Sequence, residues 1–376
     1  MKKNFLIFLS FIILLSIMPA AHAATERGNI KEPILAAVKK DGKWGFINSY
    51  GKLVIPNIYD EVKSFQEGLA VVTLNGKKGV IDASGKIVID LQYKRLSSFN
   101  EGVAYFDDGT SFSDETIGGF IDKSGKVLFE PRKGIWGSFS NGRALIRVKD
   151  KDGYDRHGFI DKKGNEVIKP LYEYATPFSE GYAYVYGTDD KSGKFIAGLI
   201  NTKGEIVYPA SFTIKKTKNN CNITGTFTEG FAPVTCEKGG DGYMDKSSNV
   251  ILLGKLYSQA SFSEGIAQIS LRASLYYGYI DTKGKYIFKP QSNEENRPFS
   301  DGLAFVGIAR GEKTTYGYIN NKGKVVFNVP NNNYYSFSNG YAAFEGSNGK
   351  FGYINKQGKV VITPQFDIAW EFKKPS

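Results

Sequence analysis

Histidine, the side chain most often used to move protons near neutral pH, is almost absent from this sequence. Only His22 and His157 occur in 376 residues, and His22 lies in an N-terminal stretch that has the pattern of a cleaved leader. A single remaining histidine gives little support to a Ser-His-Asp triad or to a histidine-rich zinc site. We therefore expect a structural role for His157, and no catalytic residue, metal site or cofactor.

Carboxylates need a separate test, because glycoside hydrolysis requires only two of them in one cleft, about 5–10 Å apart. Most acids at recurring positions are replaced by asparagine in other copies of the same pattern, and asparagine cannot exchange a proton in their place. This interchange indicates that these side chains cap turns. The members of the series are Glu67, Glu101, Asn141, Glu180, Glu229, Glu264, Asp301 and Asn339.

Acids outside the recurring positions occur in pairs in segments of variable length. A carbohydrate-active hydrolase would have to use such loop carboxylates, and it is the alternative to a non-enzymatic function. No phosphate-binding loop, dinucleotide-binding fingerprint or G-x-S-x-G element accompanies them. The pairs are Asp107-Asp108, Asp114-Glu115, Asp189-Asp190 and Glu294-Glu295.

Aromatic residues are the positive evidence for binding. The sequence has 23 tyrosines and 27 phenylalanines, and many fall at recurring positions where a core is expected. Others lie in loops and inserts, where their rings could stack on a sugar or contact a protein partner; packing between repeats is the alternative for them. This candidate binding surface consists of Trp136, Tyr276, Tyr277, Tyr334, Tyr335 and Trp370.

A repeated unit of about 39 residues organises these positions. It begins with a glycine before an apolar pair and, in most copies, has a phenylalanine 20 residues later in an F-x-[EDN]-G element. The repeat glycines are Gly45, Gly79, Gly119, Gly158, Gly198, Gly242, Gly278, Gly317 and Gly352. The repeat phenylalanines are Phe65, Phe99, Phe139, Phe178, Phe227, Phe262, Phe299, Phe337 and Phe372.

Each repeat is predicted to contain three β-strands. The first two flank a four-residue connector that begins with Asp or Asn and ends with Gly, as in Asp161 to Gly164, which is typical of a hairpin. A third apolar strand follows the F-x-[EDN]-G element and carries a small alanine at a fixed place, which indicates close approach between neighbouring sheets. Only the connector Asp245 to Ser248 lacks the glycine, so we expect the most strained or loosest turn there.

The chain is therefore predicted to be all-β, with about nine three-stranded repeats in one domain. Residues Ile34 to Val38 hold a third strand without its preceding partners, whereas the sequence stops before the third strand of the last repeat. The front end could thus complete the last repeat, as in a closed β-propeller. An open superhelical array with two free edges is the alternative.

The N-terminus predicts export. Lys2 and Lys3 precede an apolar run of about 14 residues, too short to span a bilayer, and Ala21-His22-Ala23 resembles a cleavage site. We predict a signal peptide at residues 1–23, a mature domain at 24–376, no later membrane span, and a location outside the cell or in its envelope. Cleavage would leave 47 basic against 38 acidic residues; this diffuse charge favours weak attraction to anionic envelope surfaces, and nucleic acid is not expected.

Cys221 and Cys236 flank one copy of the repeat. In an exported chain this placement favours a disulfide bond over two free thiols. The spacing is far from the C-x-x-C pattern of metal and redox sites.

Lys43-Trp44-Gly45-Phe46-Ile47, with the following hairpin, Tyr59-Asp60 and the Phe65 to Gly68 element, resembles the bacterial WG-repeat (KWG) family. The resemblance covers about residues 31–376, although the naming tryptophan occurs only at Trp44. It implies a β-repeat protein of the interaction or scaffold type and brings no catalytic residue. The sequence thus predicts an exported, non-enzymatic binding or scaffold module whose partner is an unidentified protein or envelope polysaccharide.

Overall fold

The computed structural model describes residues 34–109, 116–135, 137–188, 193–214, 217–272, 276–292, 296–310 and 313–375. The predicted leader, Trp136 and three of the loop acid pairs (Asp114-Glu115, Asp189-Asp190, Glu294-Glu295) lie outside these ranges. The described chain is all-β, and nine small antiparallel sheets form a nine-bladed β-propeller. None of its segments is a helix with the length and hydropathy that crossing a bilayer requires.

The strands of the first five blades follow one another with short connections. They are β1 (Leu35–Lys40), β2 (Lys43–Asn48), β3 (Leu53–Tyr59), β4 (Glu61–Val62), β5 (Leu69–Leu74), β6 (Lys77–Asp82), β7 (Ile87–Tyr93), β8 (Arg95–Leu96), β9 (Val103–Asp107), β10 (Ile117–Asp122), β11 (Arg132–Lys133), β12 (Ala144–Lys149), β13 (Asp155–Ile160), β14 (Glu166–Tyr172), β15 (Tyr174–Ala175), β16 (Tyr182–Thr188), β17 (Phe195–Asn201) and β18 (Ile206–Pro209).

The remaining strands complete four further blades and return to the first. They are β19 (Ser211–Ile214), β20 (Asn219–Ile223), β21 (Phe231–Cys236), β22 (Gly240–Asp245), β23 (Val250–Gly254), β24 (Leu256–Ser263), β25 (Ile266–Leu271), β26 (Tyr277–Asp281), β27 (Tyr286–Ser292), β28 (Leu303–Arg310), β29 (Lys313–Asn320), β30 (Val325–Val329), β31 (Tyr341–Glu345), β32 (Phe351–Asn355), β33 (Val360–Phe366) and β34 (Ile368–Ala369).

The two ends of the described chain close the ring. Strand β1 pairs on one side with β2 and on the other with β34, and Val38 lies opposite Ala369. The Trp370 amide also donates to the Ala37 carbonyl at 2.9 Å. The predicted ring is confirmed, and the open array is wrong.

Many blades have a fourth strand that the three-stranded repeat did not include. It is only two residues long in β4, where Glu61 and Val62 pair with Thr73 and Val72 of the third strand. Such a short segment has no detectable periodicity. It places the residues just before the repeat phenylalanine beside the third strand, where the candidate site lies.

The repeat glycine is required by a close backbone approach. A Cβ atom at Gly158 would lie 2.5 Å from the Ile168 carbonyl oxygen, and one at Gly352 would lie 2.4 Å from that of Ile362. The register between the two strands of the hairpin shifts at this glycine. For Gly158, the shift lies between His157 and Phe159 in the pairing of β13 with β14. Because the bulged strand presses onto its neighbour here, no side chain fits.

The four-residue connectors are hairpin turns capped by their first side chain. In one copy, Asp82 Oδ1 accepts hydrogen bonds from the amides of Ser84 (2.9 Å) and Lys86 (3.1 Å), and Gly85 has φ 86°. The exceptional sixth turn keeps this geometry, since Ser248 has φ 64°. Ser248 therefore holds a left-handed conformation that costs a side-chain-bearing residue on the order of 1 kcal/mol.

Replacing Ser248 with glycine should therefore stabilise the protein. We expect Ser248→Gly to raise the free energy of unfolding by about 0.5–1 kcal/mol, because glycine adopts this conformation without strain. Urea denaturation would measure the gain. Ser247→Gly in the same turn is the matched control, and an equal gain there would contradict the assignment of strain to position 248.

The F-x-[EDN]-G element is a two-residue hairpin turn with both central residues left-handed. Gln66 and Leu69 exchange backbone hydrogen bonds of 2.9 and 3.1 Å around Glu67 (φ 52°) and Gly68 (φ 90°). This is the geometry of a type I′ turn, whose twist suits antiparallel strands. A non-glycine residue with positive φ recurs at Glu101, Asn141, Glu180, Glu229, Glu264, Asp301 and Asn339.

The acid or amide in seven of these turns caps the corresponding turn of the next repeat, whereas Asn339 donates from Nδ2 to the Phe372 carbonyl at 2.9 Å. Glu67 Oε2 accepts a hydrogen bond from the Gly102 amide at 2.9 Å, and Glu101 Oε2 accepts one from Gly142 at 2.9 Å. The same contact joins Asn141 to Gly181, Glu180 to Gly230, Glu229 to Gly265, Glu264 to Gly302 and Asp301 to Gly340.

Two of these carboxylates, Glu67 and Glu180, have a pKa below the ordinary value. Partial burial of Glu67 opposes its ionisation, but the Gly102 amide and the Lys123 ammonium outweigh burial and hold the pKa of Glu67 below its ordinary value. The pKa of Glu180 is lowered in the same way, with Lys246 and the Gly230 amide opposing burial. A general acid needs the opposite shift, so Glu67 and Glu180 act as structural acceptors.

The core lies between neighbouring sheets. One cluster joins Phe46 and Ile55 of the first blade to Ala70 and Val72 of the second, around the repeat residue Phe65. Ala70 is fully buried there, as are the equivalent Ala104, Ala183, Ala232, Ala267, Ala304 and Ala342. The small alanine thus allows the close approach of blades that the sequence indicated.

Candidate functional site

The residue two places before each repeat phenylalanine, called here the −2 residue, changes character around the ring. It is large and cationic or aromatic in four consecutive repeats that span the ring closure, and small in the other five. The large residues, in ring order, are Arg297, Tyr335, Trp370 and Lys63, and the small ones are Ser97, Gly137, Thr176, Gly225 and Ala260.

Buried tyrosines hold the backbone of three large −2 residues. The hydroxyls of Tyr279, Tyr318 and Tyr353 donate hydrogen bonds to the carbonyls of Arg297 (2.5 Å), Tyr335 (2.5 Å) and Trp370 (2.7 Å), respectively. Burial raises the pKa of all three tyrosines, so their hydroxyls remain protonated donors. The backbone that carries the site is therefore rigidly placed.

Small residues on the third strand leave space beside two of these aromatic rings. The Tyr335 amide donates to Ala343 and the Trp370 amide donates to Ala37, and both alanines are buried. The small −2 residues Ser97 and Thr176 instead lie against Tyr105 and Tyr184. In repeats eight and nine a large −2 aromatic thus has a small partner, and Ala343 lines a cavity there.

Two cavities lie side by side at this place and share Trp370. The first has a volume of about 410 Å³ and is lined by Arg297, Tyr335, Trp370, Glu371 and Lys373, together with Ser300, Ser336 and Ser338. The second, of about 250 Å³, is lined by Trp44, Trp370, Lys63, Lys78, Thr73 and Glu61. The Trp44 and Trp370 ring centroids are 4.8 Å apart. We call the two cavities together the closure groove.

The two cationic −2 residues reach forward to the next repeat in the same way. Arg297 Nε donates to the Tyr334 carbonyl at 3.2 Å, and its guanidinium lies 4.7 Å from the centre of the Tyr335 ring. Lys63 Nζ donates to the Leu96 carbonyl at 3.1 Å. Burial, followed by repulsion from Lys78, lowers the pKa of Lys63. Each of the two cavities is thus lined by one of these cations.

Of the six predicted binding aromatics, the structure brings Tyr335 and Trp370 together in the closure groove. Tyr335 is 40% exposed, whereas Tyr334 is only 8% exposed and stacks on Phe344 at 5.2 Å, so Tyr334 belongs to the core and not to the predicted surface. Tyr276 and Tyr277 stand at the start of β26 and line neither cavity. Trp136 is outside the described residues.

Arg297 and Lys63 were missed by sequence reasoning. Each differs in size and charge from most residues at the −2 position, and that departure from the repeat was the available signal. Their relevance depends on ring closure, which brings repeat one beside repeats eight and nine.

Neither cavity, as far as its described lining goes, contains the two carboxylates that glycoside hydrolysis requires. Within the described residues, the first cavity is lined by one acid, Glu371, and the second by one, Glu61. Glu371 lies 3.4 Å from Lys373 and Glu61 lies 2.9 Å from Lys78. In the same part of the chain, no group of three or more His, Cys, Asp or Glu residues is placed to hold a metal ion.

The predicted disulfide is present. Cys221 and Cys236 are directly opposed on β20 and β21, with Cα atoms 3.9 Å apart, and both are buried. Their sheet has five strands, β19 to β23, because an extra hairpin is inserted before the repeat phenylalanine Phe227. The insert explains the longer spacing in this repeat and places the disulfide away from the closure groove.

His157 has the structural placement expected from its sequence position. It lies within β13 between Arg147 and Tyr172 of the adjacent strands. Burial lowers the pKa of His157, and hydrogen bonding with the backbone at Tyr172 and Glu173 opposes this shift only in part. The imidazole is therefore neutral near pH 7 and lines neither cavity of the groove.

Solved structures with a similar arrangement have low sequence identity to this chain. Apo AztD from Citrobacter koseri is 12% identical with a TM-score of 0.37, and the match covers 91% of this chain and 97% of AztD. A prolyl endopeptidase structure is 14% identical with a TM-score of 0.42, over 83% of this chain and 50% of the peptidase. An acylaminoacyl peptidase from Pyrococcus horikoshii is 12% identical with a TM-score of 0.35, over 76% and 57%.

A comparison with curated proteins gave no match. The family model described as "WG containing repeat" matches seven segments, at residues 44–77, 79–109, 119–151, 158–196, 277–308, 316–351 and 351–374. The unmatched residues 197–276 contain the five-stranded sheet with the disulfide. These matches cover more than half of the sequence, and the chain therefore belongs to the WG-containing repeat family.

Proposed function

We propose that this protein is a non-enzymatic binding module that holds a cell-envelope glycan in the closure groove. The observation that carries the proposal is the placement of Tyr335 and Trp370 in the lining of one cavity, with Trp370 also lining the second. Aromatic rings bury a large apolar area at a low cost in side-chain entropy and leave polar groups free to fix orientation. The first cavity is also within the size range of small-ligand sites.

Hydroxyl groups next to the rings support a sugar rather than a wholly apolar ligand. Ser300 and Ser336 line the first cavity, and the described residues supply no hydrogen-bond partner to either hydroxyl. Thr73 lines the second cavity and its hydroxyl contacts Lys78 Nζ at 2.9 Å. A ligand with apolar faces and many hydroxyls fits such a lining. Export, predicted from residues 1–23, would bring the groove to the envelope.

Tyr335→Ala is the variant that tests this proposal. We expect the substitution to weaken glycan binding about five- to thirtyfold, because a stacking ring contributes on the order of 1–2 kcal/mol to a contact of this kind. The mature protein would be applied to glycan arrays and to envelope extract, and the glycans retained would then be titrated by calorimetry against both proteins.

Tyr257→Ala is the matched control, since Tyr257 is 65% exposed on β24 and lines neither cavity. Equal loss of binding in both variants, or unchanged binding in Tyr335→Ala, would overturn the assignment of the site. Retention of envelope proteins with no glycan would favour a protein partner instead.

A further inference from the structure

The charges of the closure groove specify its ligand further, and this inference rests on the function proposed above. Several cations on the repeat framework have a carboxylate partner. Lys43 lies 2.5 Å from Asp60, Lys78 lies 2.9 Å from Glu61, and Lys356 lies 2.7 Å from Asp301. Such pairing is the ordinary state of a cation that is partly removed from water.

Arg297 and Lys63 have no such carboxylate partner. In the part of the chain that the structure describes, neither has a carboxylate within 4.0 Å, and each is half-buried. The Arg297 guanidinium uses Nε on the Tyr334 carbonyl, while its two Nη groups find no acceptor among the described residues. Lys63 Nζ has the Leu96 carbonyl as its one described acceptor. Both cations therefore retain donors for an anion.

Backbone hydrogen bonds also hold both cationic side chains in place. Each side chain starts from a −2 position and is tethered to the backbone carbonyl three places before the next repeat phenylalanine, Tyr334 for Arg297 and Leu96 for Lys63. The cation–aromatic contact with Tyr335 fixes Arg297 further. A tethered cation loses less entropy on binding than a free surface lysine does.

The two cations line different cavities. Arg297 lines the first cavity with Tyr335, Lys63 lines the second with Trp44, and Trp370 lines both. The −2 residues of repeats seven, eight, nine and one, which follow one another along the ring, are Arg297, Tyr335, Trp370 and Lys63. A ligand that occupies both cavities must be elongated, and it meets a positive charge in each of them.

We propose that the closure groove binds a linear acidic glycan, with sugar rings against Tyr335 and Trp370 and acidic substituents at Arg297 and Lys63. A carboxylate, sulfate or phosphate group would complete the hydrogen bonding of both cations, and charge-assisted bonds of this kind are stronger than neutral ones. The ligand is thus a polymer segment of more than one sugar, acidic at intervals.

Calorimetric titration of the full mature chain would test this specificity. The acidic probes are oligomers of galacturonate, alginate oligomers and sulfated dextran, and the neutral probe is a cello-oligosaccharide of the same length. We expect at least one acidic probe to bind more than tenfold tighter than the neutral one, with an affinity that falls as salt is raised. Lys63→Gln and Arg297→Gln should each weaken that binding about tenfold or more, since a hydrogen bond to a charged group is lost.

Lys324→Gln is the control, because Lys324 is an exposed lysine that lines neither cavity. Melting temperatures of all variants would show that each is folded. Equal affinity for neutral and acidic oligosaccharides, or unchanged affinity in both groove variants, would overturn the proposal. Tighter binding of poly-glutamate than of any acidic glycan would also overturn it, in favour of an acidic peptide.

Failure of this inference differs from failure of the proposed function. If Tyr335→Ala abolishes binding of a neutral glycan while Lys63→Gln and Arg297→Gln leave it unchanged, the groove binds glycans and only the acidic specificity is wrong. If Tyr335→Ala has no effect on any probe, the site itself is wrong.

Discussion

Deletion of residues 24–40 should lower the free energy of unfolding by about 5 kcal/mol or more. The deletion removes β1, which pairs with both β2 and β34. It also removes the buried residues Leu35, Ala36, Ala37 and Val38 from two packed clusters. Loss of one buried leucine alone costs about 2–5 kcal/mol, and two strand edges would be exposed in addition. Urea denaturation of the mature protein would measure the change.

Tryptophan fluorescence gives this experiment a local readout as well. Trp44 and Trp370 are in contact across the closure, so their emission should shift to that of exposed rings in the deleted protein. Deletion of residues 24–33, which spares β1, is the control. Equal destabilisation by the two deletions, or none from the longer one, would contradict the role of β1 in closure.

Phe178→Ala should destabilise the protein by about 3–5 kcal/mol. The Phe178 ring is buried between blades and meets Phe159 edge-on with ring centroids 4.7 Å apart. Its removal leaves a cavity that a rigid repeat framework fills only in part. Urea denaturation would again measure the loss, with attention to whether one blade unfolds before the others.

Tyr154→Ala is the matched control for this prediction. Tyr154 lies in the connection between β12 and β13, in the neighbouring blade whose Phe159 contacts Phe178, and is 67% exposed. We expect a change below about 0.5 kcal/mol for this surface residue. An unchanged melting temperature in Phe178→Ala would show that the repeat phenylalanine is not a core residue.

Local chemistry made much of the fold predictable. The Asp82 to Gly85 type of turn needs only neighbouring residues, because one side chain caps two nearby amides and the glycine supplies the left-handed conformation. Ring closure was also within reach, since the third strand at Ile34 to Val38 lacked partners in its own repeat. The disulfide followed from the placement of Cys221 and Cys236 in one enlarged repeat.

Contacts between repeats were the part that sequence reasoning could not supply. The interchange of Glu101 with Asn141 identified hydrogen-bond acceptors, but the donor is an amide about 40 residues away in the next turn. The closure groove depends on the same kind of information. Lys63 and Trp370 line one cavity although 307 positions separate them. Only the closed ring makes them neighbours. The prediction that Tyr334 is a surface residue was wrong because its contact with Phe344 of the next strand is not visible in the sequence.

The ring closure has the backbone pairing of an F-x-[EDN]-G turn, the turn found in each of the eight other blades, but here the two sides come from different ends of the chain. Lys373 and Leu35 exchange backbone hydrogen bonds of 2.8 and 2.9 Å, as Gln66 and Leu69 do within one turn. Lys374 and Pro375 stand where Glu67 and Gly68 stand, and the Pro375 carbonyl, in place of a glutamate side chain, accepts the hydrogen bond from the Gly68 amide. An Asn-Gly dipeptide inserted between Lys373 and Leu35 would therefore complete a ninth type I′ turn. Such a molecule would be a covalent circle, and its fold would be open to circular permutation, with new ends placed in another blade while the groove stays intact.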